Sequence, residues 1–170
     1  MSNLIRPLAT VFAVACFSIF GLACGPGDAR APNPTRPLDE RRAIEVIRKA
    51  ISLENARPAP ARDVQLAGFE KPLRVDVSVE GHEYGIAYIT ADDAAKLGNA
   101  IPPKNAPEEK LRLARVGENG EVRIVLLYQD NYRYDDLVGE DHQQTTITAE
   151  RLLTRDVQDF ITHAKTQKFK

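Results

Sequence analysis

The residues best suited to chemistry or recognition crowd into one stretch, Gln129–Gln144 (QDNYRYDDLVGEDHQQ). Asp130, Asp135, Asp136, Glu140 and Asp141 offer carboxylates there, His142 an imidazole, and Tyr132, Arg133 and Tyr134 an aromatic and guanidinium cluster. Carboxylates suit a hard cation such as calcium, which needs several oxygens converging at about 2.4 Å. The residue order argues against one: a calcium loop starting at Asp130 needs glycine at its sixth place, where Asp135 stands. No metal is therefore expected. His142 beside Asp141 suits proton transfer, yet no nucleophile is visibly paired with it. Rigid amphipathic rings around a fork-shaped donor are instead typical of binding surfaces. Tyr132, Arg133, Tyr134, Asp135, Asp136 and His142 are accordingly the candidate binding residues.

Catalysis finds little support elsewhere. The chain lacks the G-x-S-x-G, H-E-x-x-H and Walker glycine spacings. After the N-terminal apolar run the serines are Ser52 and Ser78, both within regular patterns. His82 reads as a turn residue, and His163 as a cation complementing a helix C-terminus. No catalytic residue is assigned. A net charge of −1 over 170 residues lacks the concentrated positive field that phosphate binding requires, so nucleic acid is not an expected partner. The length and 43% hydrophobic content fit one globular domain.

Both cysteines lie near the N-terminus, Cys16 inside the apolar run Leu8–Ala23 and Cys24 at its exit. Arg6 precedes the run, which is shorter than the ~20 residues a spanning helix needs. A positive start, a short apolar run and a small residue at its end describe a signal peptide. The residues Gly21-Leu22-Ala23-Cys24 resemble the lipobox of bacterial lipoproteins, with Gly21 standing where that family usually has leucine. The resemblance covers the first two dozen residues. It implies cleavage between Ala23 and Cys24, a diacylglyceryl group on the Cys24 sulfur, and an acyl chain such as palmitate on the new amino group. This covalent lipid would be the only attached group, with no other cofactor. Two or three chains matter, because one alone holds a protein to a bilayer only marginally. Glycine rather than aspartate follows Cys24, which points to the outer membrane in preference to the inner one.

The segments that must position these groups fall into three parts. Residues 1–23 read as signal peptide. Residues 24–38 form a Pro- and Gly-rich tether, semi-extended at about 3 Å per residue. Residues 39–170 form a single α+β domain. Its first helix spans 39–54, with Asp39 as N-cap, Leu38 as a hydrophobic staple, and Ala43, Ile44, Ile47, Ala50 and Ile51 on one face. Leu73, Val75, Val77 and Val79 alternate with polar residues as one half-buried strand, and Gly81-His82 turns it back into Tyr84–Ile89. Thr90 and Asp93 match a capping box on a short helix ending at Gly98. A second hairpin joins Leu111–Val116 to Val122–Tyr128 through Asn119-Gly120, a type I′ turn by composition. Val122–Tyr128 is apolar on both faces, which predicts a central or doubly covered strand. A short strand over Thr145–Ile147 and a helix from Thr148 to Lys165 close the chain.

The expected order is α-ββ-α-ββ-α. It makes a two-layer domain with an antiparallel sheet of about four to five strands and three helices. The functional expectation is a lipid-anchored, non-catalytic envelope protein facing the periplasm. Its domain would bind another envelope protein through the 129–144 loop or a sheet edge. Two alternatives stand beside it: a ligand or glycan binder stacking sugars on Tyr132 and Tyr134, and a small hydrolase using His142.

Overall fold

A computed structural model describes residues 33–106, 108–135 and 144–169. The apolar N-terminal run, Ala23, Cys24, the expected tether up to residue 32, Asp136 and His142 lie outside the described residues. Among the described residues no helix is long and apolar enough to cross a membrane.

The fold is α+β, with three α-helices among the described residues: α1 (Glu40–Leu53), α2 (Ala91–Leu97) and α3 (Thr146–Thr166). Asp39 caps α1 as its spacing predicts, accepting from the Arg42 N–H. Thr90 and Asp93 close a capping box on α2, and Gly98 ends it with φ +54°. Thr145 is the N-cap of α3 and accepts from the Thr148 N–H. The strand expected over Thr145–Ile147 does not form, because Thr146 and Ile147 already belong to the first turn of α3.

Nine strands are described: β1 (Arg36–Pro37), β2 (Pro58–Ala59), β3 (Arg62–Gln65), β4 (Pro72–Val75), β5 (Val77–Val79), β6 (Gly85–Ile89), β7 (Arg112–Val116), β8 (Val122–Tyr128) and β9 (Arg133–Tyr134). Five make the main sheet, in the order β2-β5-β6-β8-β7. Both expected hairpins form, β5 with β6 and β7 with β8. They join through a parallel pair, β6 beside β8, so the sheet is mixed and not antiparallel throughout. The turn between β7 and β8 is not type I′. Neither Glu118 nor Asn119 has positive φ; the Gly120 N–H bonds back to the Gly117 carbonyl, and the glycines carry the positive φ. Two small pairs complete the strands, β3 with β4 and β1 with β9. Arg36 and Pro37 are thus paired and Leu38 is in the core, so the folded unit spans 33–170 and residues 33–38 belong to it and not to the tether.

Helices α1 and α3 cover one sheet face. Ala43, Ile47, Ala50 and Ile51 of α1 meet Leu153, Val157, Phe160 and Ile161 of α3 over Ile86, Val125 and Leu127. Arg42 holds the two helices together with a two-pronged bond to Glu150, at 2.7 and 3.0 Å. The other face is also covered. Leu66, Leu73, Val75, Leu97 and Ile101 pack against Ala87, Ile124, Leu126 and Tyr128. The expected two layers are therefore three, which is why Val122–Tyr128 is apolar on both sides.

The alternating run 73–79 does not lie on one face. Leu73 and Val75 enter the second core, whereas Val77 and Val79 enter the helix-side core. Asp76 makes the switch as a β-bulge, where one extra residue reverses the side-chain parity. Its N–H bonds to the Ile86 carbonyl at 2.9 Å, and its carboxylate accepts the Tyr88 N–H at 2.8 Å. A side chain thus supplies the acceptor that a regular strand would take from its backbone.

Candidate functional site

The described residues of the 129–144 segment, 129–135 and 144, are built into the fold. After β8 the chain makes one 3₁₀ turn over Gln129–Asn131 and enters β9. Tyr132 is 1% exposed, stacks near Tyr88 at 6.2 Å, and donates its hydroxyl to Asp156 of α3 at 2.9 Å. It cannot offer its ring to a partner, which corrects its place among the binding residues. Burial and the Asp156 carboxylate push its phenol well above the usual range. Arg133 gives two bonds to Thr35 and one to Asp130, so it fastens β1 in place. Tyr134 is half-buried, with the Arg36 guanidinium 5.0 Å from its ring centre. Asp135 is buried; its N–H bonds to the Gln144 carbonyl at 2.7 Å and its carboxylate accepts the Gln144 N–H at 2.9 Å. The four described candidates therefore act as core, strut and clasp. Asp136 and His142 lie outside the described residues. Of the other histidines, His82 stacks on Tyr84 at 4.6 Å and His163 meets Phe169 edge-on at 5.4 Å. Among the described residues no three His, Cys, Asp or Glu side chains converge to hold a metal ion.

A concavity of about 1150 Å³ lies beside the described part of 129–144, between β7 and α3. Leu111 and Leu113 form one wall, Leu152 and Phe160 the other; Asn131 and Gln144 stand in its lining with His163. The fold explains its position. Strand β7 ends the sheet, so its outer side has no further strand of that sheet to meet. Helix α3 commits Leu153, Val157 and Phe160 to the core, which leaves Leu152 only partly buried beside them.

Charged groups rim this apolar floor: Glu108, Glu109, Asp156 and Asp159 against Lys110 and Arg155. Glu109 is already bonded to Arg112 at 3.2 Å and Asp156 to Arg155 at 2.9 Å. Glu108, Asp159 and Lys110 form no ion pair among the described residues, so the rim carries an acidic excess. Asn131 and Gln144 belong to the segment that the sequence marks for recognition, and His163 reads as a helix-end cation, but the groove's apolar walls were not singled out by sequence. Leu152 was the one available signal, an apolar residue beside the helix stripe and not on it.

A second cleft of about 650 Å³ opens where the parallel strands β6 and β8 end, at Ile89 and Tyr128. Such strand ends often bind ligands in α/β sheets. Here the nearby cations are engaged within the fold: Lys104 and Arg133 both bond Asp130 and hold its carboxyl below the usual range. The Tyr128 hydroxyl donates to the Pro102 carbonyl across the same cleft.

The chain matches no protein family, no curated protein and no solved structure.

Proposed function

We propose that this protein is a non-catalytic envelope lipoprotein whose domain docks another envelope protein in the groove between β7 and α3. The observation that carries the docking reading is the groove itself: an apolar floor, a charged rim and an open sheet edge side by side. Interfaces combine these features, an apolar centre ringed by polar groups. The anchor rests on the Gly21–Cys24 sequence. Acyl chains on Cys24 would confine the domain to a membrane surface and raise its effective concentration near envelope partners, so modest contacts suffice. The glycan reading loses one of its two stacking surfaces, because the Tyr132 ring is in the core.

The test is photocrosslinking in cells, with a photoreactive residue replacing Glu108, Leu152 or, as control, Arg48 on the outer face of α1. The expected result is one discrete partner from the groove positions and none from Arg48. A Cys24→Ser variant should lose metabolic labelling by a palmitate analogue and give less than a tenth of that crosslink. Equal crosslinking from both faces would sink the docking site. Undiminished palmitate labelling of Cys24→Ser would sink the anchor.

A further inference from the structure

Resting on the reading of the groove as a docking surface, we infer that its occupant is an extended, basic segment of another protein, which adds a strand to the open end of β7. The outer side of β7 already accepts strand pairing at one end. The Ala67 N–H donates to the Arg115 carbonyl at 3.0 Å and the Gly117 N–H to the Gln65 carbonyl at 3.1 Å, around a bridge between Leu66 and Val116. In antiparallel pairing successive residues face opposite neighbours. Arg115 faces outward, so Leu113, two residues earlier, also turns its N–H and C=O away from β8. On that side these groups have no hydrogen-bond partner among the described residues. They lie along the groove whose walls are Leu111, Leu113, Leu152 and Phe160.

An extended strand fits this geometry because its side chains alternate. One set would enter the groove beside α3, where long stems cover the apolar floor and their polar ends reach the rim, while the other faces the opposite side of the sheet, and main-chain bonds to Leu113 would hold the register. The rim selects charge. With Glu109 and Asp156 already paired, Glu108 and Asp159 favour lysine or arginine in the set that faces α3. A second copy of this chain fits less well. Pairing two β7 strands about Leu113 would set Arg115 against Leu111 of the other copy. That place is already taken by Ala67.

The experiment uses the full lipidated chain in a zwitterionic detergent and a fluorescein-labelled octapeptide of alternating lysine and valine. Three relatives of the probe serve as comparison: one N-methylated at the valine amides, one at the lysine amides, and one with glutamate for lysine. Anisotropy titration should show binding of the parent, with one methylated peptide retained and the other weakened more than tenfold. The glutamate peptide should also lose more than tenfold. Hydrogen exchange at the Leu113 amide should slow at least tenfold with the parent peptide. The Glu108→Gln/Asp159→Asn variant should weaken binding several-fold at unchanged thermal stability. Equal binding of both methylated peptides, an unaltered Leu113 amide, or no preference for lysine would overturn the inference, as would dimerisation through β7. If the groove still crosslinks a partner in cells while these tests fail, strand addition is wrong and the docking reading survives. If both fail, both are wrong.

Discussion

Asp76 is the residue on which the sheet turns. It is 5% exposed, and burial pushes its carboxyl above the ordinary 3.8, reinforced by Glu40 and opposed by the Tyr88 N–H and Arg74. A raised pKa in the folded state means the fold prefers the protonated form. This group therefore supports folding below about pH 4 and turns against it as pH rises through its raised folded value. Asp76→Asn keeps an acceptor for the Tyr88 N–H without the buried charge. It should match wild type in thermal unfolding near pH 3 and melt higher than wild type at pH 7; a lower melting point at pH 7 would contradict this. Tyr132 makes the complementary case. Tyr132→Phe removes the donor to Asp156 and should cost about 1–3 kcal/mol in urea unfolding, since it strips a bond from a buried carboxylate.

At the scale of elements, the bulge decides how strand β4 hands over to β5. Its neighbour Gly85 leaves no room for a side chain: an added Cβ would stand 2.6 Å from Val75 Cγ1 and 3.0 Å from the Val77 carbonyl oxygen. Gly85→Ala should destabilise the domain by about 1–3 kcal/mol, read from the urea midpoint. The legibility of the fold follows the same lines. The first two helices were readable because their caps are local, and Asp39, Thr90 and Asp93 all cap as their spacing suggests; the third was readable from its apolar stripe, but its cap Thr145 reads as strand. The hairpins were readable from period-two runs and turn residues. What alternation could not reveal was Asp76, which looks like one more outward polar residue until its carboxylate replaces a backbone acceptor. Nor could it reveal that β6 and β8 run parallel, since that depends on which strand ends meet in space. Strands β1, β2 and β9 span two residues each and carry no period at all.

At the scale of the whole molecule, burial reassigned the candidate site. The tyrosines that looked like contact area serve the core, while the groove arises only once β7 becomes an edge and α3 lies beside it. Composition could not show that, because Leu113 and Leu152 are ordinary apolar residues until their neighbours are fixed. Three layers also cover both faces of the sheet, so neither face is itself open to a partner. The clasp between Asp135 and Gln144 has a practical corollary. It holds the end of β9 beside the residue that precedes the Thr145 cap of α3 through two bonds. Cutting the chain between Asp135 and Gln144 would therefore leave β9 and α3 still joined by both bonds.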